Sequence, residues 1–303
     1  MIEVENLTKK YGTTVAVENL SFTVPDGSVT GFLGPNGAGK STTMRCLLGL
    51  DRPNSGKTLF DGLPFHGHSC PVEAAGAVLD ASWYHPGRTG RGHLQVVAAS
   101  AGLPPARVGE VLDAVGLGAA AHRRIRGYSL GMKQRLGLAT SLLGNPRNLV
   151  LDEPANGLDP EGVHWMRSVL RRNADDGRAV LVSSHLLSEM QLVADRLVVV
   201  GRGRLICESG MAEFLDRHNG KTIVRTDADE VLERCLREIG VAVTRRPDGL
   251  NVTYNSVVPD ASALSRLCRD LGLLVTALGD EPVGLEEIFL ELTENASVYR
   301  AHN

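Results

Sequence analysis

Short runs of alternating apolar residues fill the first sixty positions: IEVENL, TVAVENLSFTV, SVTGFLG and KTLF, broken at Tyr11-Gly12, Pro25-Asp26-Gly27 and Asp61-Gly62. Period-two alternation between such turn signals predicts strands. From about Gly90 to Leu143 the period lengthens, and HLQVVAASAGL, ARVGEVLDAVGL and KQRLGLATSLLG each end at or near a glycine, which predicts helices. Strand and helix patterns then alternate through NLVLDEP, EGVHWMRSVLRRN, AVLVSSH, LLSEMQLVADR and the hairpin-like RLVVVGRGRLICE. That alternation predicts a largely parallel sheet covered by helices, an α/β architecture. The pattern breaks at Asp216-Arg217-His218-Asn219-Gly220, where a domain boundary is expected. The remainder reads KTIVRT, DEVLERCLREIG, VAVTRR, LNVTYN, ASALSRLCRDLG and LLVTAL, followed by the helical LEEIFLELTE. This β-α-β-β-α-β order is that of a small ferredoxin-like α+β domain with a final helix. The expected domains are therefore residues 1–215, with a helical subdomain over about 85–145, and an accessory domain over 221–303.

Composition narrows the class. At 303 residues and 43% hydrophobic content the chain can bury a sizeable core. A net charge of -3 gives no basic footprint, so a nucleic-acid partner is not expected. No window approaches the roughly 18 apolar residues of a membrane helix, and MIEVENLTKK lacks a signal-peptide core, so a cytoplasmic chain is expected. The five cysteines are scattered and never in C-x-x-C spacing, which fits reduced thiols. His66, His68 and Cys70 could be drawn as metal ligands, but with no fourth ligand suggested nearby a solvated turn is the preferred reading.

Chemistry concentrates at three strand ends. GFLGPNGAGKSTTMRCLLGL carries Gly34-x4-Gly39-Lys40-Ser41 after an apolar strand and at the start of a helix, the context of a phosphate-binding P-loop. Its residues Gly34, Asn36, Gly37, Ala38 and Gly39 let backbone N–H groups approach phosphates, at a helix end whose dipole favours anions. Lys40 would meet the β and γ phosphates, Ser41 would give a hydroxyl to Mg²⁺, and Thr42 continues the loop into the helix. NLVLDEP ends in Asp152, suited to the Mg²⁺ shell, and Glu153, suited to act on the attacking water. His185, at the end of AVLVSS and ahead of a helix, can reach the γ-phosphate end, although a lone strand-end histidine is more often structural.

Taken together, these residues resemble the ATP-binding subunit of an ABC transporter over nearly all of residues 1–215. YSLGMKQR resembles the family's signature sequence; it departs from Leu-Ser-Gly-Gly-Gln at Tyr128, Leu130 and Met132 and keeps Ser129 and Gly131. The resemblance implies a P-loop NTPase core with an antiparallel β subdomain and a helical subdomain. It also implies that the chain pairs with a second copy, or a paralogous subunit, around two ATP molecules, with Ser129 and Gly131 acting on the partner's ATP. Tyr11 would stack on adenine, Asp159 would be the D-loop acid, His185 the switch histidine, and the cofactors ATP and Mg²⁺. Tyr11 could equally be a turn tyrosine, and Asp159-Pro160 a helix N-cap. At the position of the family's Q-loop glutamine, which senses Mg²⁺ and the membrane partner, stands Asp80; an acid can still join the Mg²⁺ shell through water but adds negative charge beside phosphates, so binding is expected more firmly than efficient hydrolysis. The signature form, Asp80 and the tail GLEEIFLELTE are similar to the daunorubicin- and bacitracin-type drug-resistance subgroup. The expected function is an ATPase that powers a separate transmembrane permease at the cytoplasmic face of the membrane, exporting a drug-like or amphipathic compound. A non-transport ATPase of the same family and a slow ATP-dependent switch are the rivals.

Overall fold

A computed structural model describes residues 1–80, 84–184, 187–218 and 221–280. The chain divides into two compact units, Met1–Met211 and one that begins at Ala212. The boundary expected at 215–221 lies a few residues later, at the end of the helix that spans Met211–His218.

In the first unit, β1 (Ile2–Tyr11) and β2 (Thr14–Val24) form an antiparallel hairpin. β3 (Val29–Leu33) is buried at every residue, as a parallel strand covered on both faces must be, and leads through the glycine-rich loop into α1 (Lys40–Leu47). β4 (Ser55–Phe60) then joins β1, giving a three-stranded sheet ordered β2-β1-β4. After the short α2 (Pro71–Ala74) comes β5 (Ala75–Val78). The helical region holds α3 (Gly90–Ser100), α4 (Ala106–Ala114) and α5 (Leu130–Ser141). β6 (Asn148–Leu151), α6 (Pro160–Asp175), β7 (Ala179–Ser184), α7 (Leu187–Gln191), β8 (Arg196–Gly201) and β9 (Arg204–Gly210) complete the unit.

The main sheet is ordered β5-β6-β7-β3-β8-β9, parallel except for β9. One core ties it to the small sheet: Ile2, Leu7, Phe22 and Phe60 share a buried cluster with Met44 and Leu47 of α1 and with Phe32, Val150 and Val198. Each such side chain contributes roughly 1.5–3 kcal/mol on burial. Phe22 and Phe32 stack across the two sheets at 5.1 Å. The loop ahead of α1 is therefore clamped between two sheets before any ligand arrives.

Helix starts follow local chemistry. Ser129 accepts the Met132 N–H at 3.2 Å, and Asp159 accepts the Gly162 N–H at 2.8 Å with Pro160 in the first turn. These caps place the start of α5 at Leu130, ahead of the Lys133 that the apolar pattern suggested.

The second unit starts within α8 (Met211–His218), at Ala212, and continues as β10 (Lys221–Thr226), α9 (Asp229–Glu238), β11 (Val243–Arg246), β12 (Gly249–Thr253), α10 (Ala261–Asp270) and β13 (Val275–Asp280). Its antiparallel sheet is ordered β11-β12-β10-β13, the ferredoxin-like arrangement. Val224, Leu232, Leu236, Leu250, Val252, Leu264 and Cys268 form its core. The expected last helix, LEEIFLELTE, lies outside the described residues.

Candidate nucleotide site

Strand order brings the motifs together. β7 runs between β3 and β6, with Phe32 opposite Ser183 and Leu151 opposite Val182. The loop after β3 and the acids after β6 thus meet at the carboxyl edge of the sheet, where open α/β sheets bind ligands. A cleft of about 460 Å³ opens there, large enough for a small molecule. Pro35 to Thr42, Tyr11, Val15, Ala16, Leu79, Asp152 and Glu153 line it.

Gly39 is held by a tight backbone constraint. Its φ is +99°, and a Cβ there would sit 2.6 Å from the Ala16 carbonyl oxygen. Gly203, at φ +78° in the β8–β9 turn, meets the same oxygen at the same distance and donates its N–H to the Ala38 carbonyl at 3.0 Å. Three backbones converge with no room for a side chain, which fixes the loop from behind.

Lys40 is 7% exposed, and its Nζ donates to the Gly34 carbonyl at 2.6 Å and lies 3.7 Å from Glu153 Oε1. Asp152 and Glu153 share a linker that sequence reasoning missed. Ser183 donates its hydroxyl to Asp152 Oδ1 and accepts the Glu153 N–H at 2.8 Å. Glu153 itself sits at φ +48°, a left-handed conformation that costs a non-glycine residue roughly 1–2 kcal/mol. One hydroxyl thus orients one acid by its side chain and the other by its backbone. We expect Ser183→Ala to keep ATP binding and to lower kcat about tenfold, the effect of losing one oriented hydrogen bond of roughly 1.5 kcal/mol. Steady-state turnover beside equilibrium ATP titration checks it.

Tyr11 stands at the mouth of the cleft, 46% exposed. Its hydroxyl donates to Asp51 Oδ2 at 2.6 Å, and Asp51 also accepts from Arg45 Nε at 2.7 Å. Arg45 first and Tyr11 second hold the Asp51 carboxyl below its ordinary range, and the bond to Asp51 raises the Tyr11 phenol. The stability Asp51 contributes is therefore complete above the ordinary carboxylate pKa of about 4 and is lost only as pH falls through the depressed folded value. Across neutral pH the ring stays anchored. The cleft wall is thus an exposed aromatic ring beside Val15, itself 39% exposed.

Other predicted residues lie elsewhere. Ser129 and Gly131 are not among the residues that line this cleft, and Ser129 caps its own helix. Asp159 caps α6. Asp80 follows Leu79 but is exposed and outside the lining. His185 lies outside the described residues. The signature and the D-loop touch reciprocally within the chain. A Cβ at Gly157 would meet Leu130 Cδ2 at 2.5 Å, and one at Gly131 would meet Leu158 Cδ2 at 3.4 Å. Leu130, a departure from the common signature, thus uses the bare backbone of Gly157 as its seat.

A P-loop, a buried lysine and a serine-bridged pair of acids at one parallel-sheet edge define a P-loop nucleotide triphosphatase. The ABC transporter family model matches residues 17–156. The bacitracin transport ATP-binding protein BcrA of Bacillus licheniformis is 38% identical over 304 residues, covering 98% of this chain and 99% of that one. The Nod factor export ATP-binding protein I of Ralstonia nicotianae is 32% identical, covering 97% and 94%. A solved structure of an ATP-binding subunit of an ABC transporter matches with a TM-score of 0.65 at 25% identity, over 72% of this chain and 93% of that one. The chain belongs to the ATP-binding subunits of ABC transporters. It is the ATPase subunit of a transport system.

Proposed function

We propose that this subunit powers export of an amphipathic, antibiotic-like compound, with Lys40 on the β and γ phosphates, Glu153 acting on the attacking water and Tyr11 against the adenine. The observation that carries this reading is the convergence of Lys40, Ser41, Asp152 and Glu153 on one cleft walled by Tyr11. The cargo class rests on BcrA, which aligns over nearly the whole chain, accessory unit included. Ser41 and Asp152 offer a hydroxyl and a carboxylate on the same cleft, the hard oxygen donors that suit Mg²⁺. When bound there, Mg²⁺ would neutralise charge on the phosphates. The chain's own part is to orient: Ser183 holds both acids, the loop amides cradle phosphate, and Lys40 stays in place by its carbonyl contact.

Ser129, Gly131 and the N-terminal end of α5 would cap the ATP held by a second copy, which accounts for their position away from the cleft of their own chain. Asp159 and His185 are proposed to report across the dimer and to contact the γ phosphate. Among the described residues no helix is long and apolar enough to cross a membrane. The proposed location is the cytoplasmic face of the membrane, reached through the permease. Capture of tagged Glu153→Gln from membranes in the presence of ATP tests the assignment: a multi-span membrane protein should co-purify, and a ribosomal or soluble partner in its place refutes export.

Asp80 is outside the cleft lining, so Asp80→Gln should leave turnover equal or higher. A large loss in a steady-state ATPase assay would instead assign Asp80 to the Mg²⁺ shell.

A further inference from the structure

Two helices of the first unit begin at motifs proposed to meet a second copy: α5 behind the Ser129 cap and α6 behind the Asp159 cap. Their tips touch through Leu130 on Gly157 and Leu158 on Gly131. A second contact lies deeper. The Arg135 guanidinium of α5 sits over the Trp165 ring of α6, 4.0 Å from its centroid, and both side chains are half-buried. Arg135 follows Ser129 by six residues and Trp165 follows Asp159 by six, which at a rise of about 1.5 Å per residue puts the contact about 9 Å behind each cap. The two helices are therefore joined at equal depth. The same guanidinium donates through Nη1 to the Val115 carbonyl at 3.0 Å, at the C-terminal end of α4, where a helix leaves carbonyls without partners. Gly116, at φ +70°, makes room for it: a Cβ there would meet Arg135 Nη1 at 3.2 Å. Among the described residues no acid pairs with Arg135, so its charge is given to the ring and the carbonyl.

We propose that Arg135 and Trp165 are positioning residues for ATP hydrolysis: they hold the signature end of α5 at a set distance from the D-loop end of α6, so that both reach the second copy together. The proposal deepens, and rests on, the reading that Ser129, Gly131 and Asp159 act across a dimer. Contact at the tips alone would let the two helices splay about that point. A second contact about 9 Å behind it resists splaying. A cation over a ring face is held by its distance rather than by a directional bond, so the pair fixes the separation of the helices and still lets them pivot. Arginine suits the place because its planar fork lies on a ring and donates from its edge at the same time, which a compact ammonium does not. The energy of the contact thus goes into preparing each chain for its partner: a chain whose signature end is seated only part of the time dimerises in proportion to that part.

The test measures the ATP-dependent dimerisation constant of the full chain carrying Glu153→Gln, by sedimentation equilibrium, with Trp165→Leu or Trp165→Phe added. A contact of this kind is worth a factor of about three to thirty in an equilibrium, and a dimer holds two, so Trp165→Leu should weaken dimerisation by about ten- to a thousandfold. Trp165→Phe keeps a ring face and should recover most of it. ATP affinity, measured at dilutions where the chain is monomeric, should be unchanged in both, since neither Arg135 nor Trp165 lines the cleft. With Glu153 restored, kcat of Trp165→Leu should approach the unmodified value only as protein concentration is raised. Dimerisation of Trp165→Leu at the original strength overturns the proposal. So does a loss that Trp165→Phe shares in full, or one accompanied by weaker ATP binding to the monomer, because either would mean general damage to the fold. Ser129→Arg in the same background separates the two readings: if it abolishes the dimer while Trp165→Leu leaves it intact, the shared site stands and the positioning role falls. A Glu153→Gln chain that binds ATP and stays monomeric overturns both.

Discussion

Glu153→Gln should abolish most hydrolysis and leave ATP binding intact. Glutamine has the shape of glutamate and keeps the backbone N–H that bonds Ser183 at 2.8 Å, so the unusual φ of +48° at this position persists. What disappears is the carboxylate. A positioned base contributes about 10²- to 10⁴-fold, so kcat should fall by that range while the equilibrium constant for ATP moves by no more than a few-fold. The amide also removes the negative charge that lies 3.7 Å from Lys40, which leaves the ammonium fully available to phosphate. Tighter ATP binding than in the unmodified chain is therefore compatible with the account. Turnover near the original rate is not, because no other carboxylate lining the cleft besides Asp152 could replace it.

Lys40→Ala should act on binding instead. The ammonium is nearly buried and held against the Gly34 carbonyl, beside the loop that lines the cleft. Charge-assisted hydrogen bonds are worth roughly 1.5–3 kcal/mol each, so loss of contacts to two phosphates should weaken ATP by about 10²- to 10⁴-fold. Lys40→Arg should not restore it, since a planar guanidinium needs more width than a compact ammonium and the loop is clamped from behind by Gly39 and Gly203. Thermal unfolding should stay close to that of the unmodified chain, because the substitution also removes a buried charge. Calorimetric titration of ATP into both variants checks the pair, and near-native affinity in Lys40→Ala would remove Lys40 from the site.

How much of this was legible in the sequence follows from how each feature is encoded. The P-loop was legible because its glycines, lysine and serine are consecutive and the apolar run before them is a buried strand. The accessory unit was legible because its helices and strands alternate cleanly. Ser183 was not, because its role depends on β7 lying between β3 and β6, an order the linear chain does not display. The apolar run ending in two serines at a sheet edge was the only hint. Gly203 was hidden for the same reason: its Gly-Arg-Gly turn reads as a hairpin, and only the fold brings it against Ala16. The reciprocal seating of Leu130 on Gly157 and Leu158 on Gly131 joins segments nearly thirty residues apart. Asp80 shows the opposite case, a position inferred from the family resemblance whose side chain is not part of the cleft lining.

The central claim is that the cleft is half of an ATP site, completed by Ser129 and Gly131 of a second copy. The mass of Glu153→Gln by light scattering, with and without Mg²⁺ and ATP, tests it most directly. The account expects a monomer without nucleotide and a dimer with it, and a dimer no longer formed when Ser129→Arg is added. A monomer that has bound ATP, or a dimer indifferent to Ser129, would contradict it.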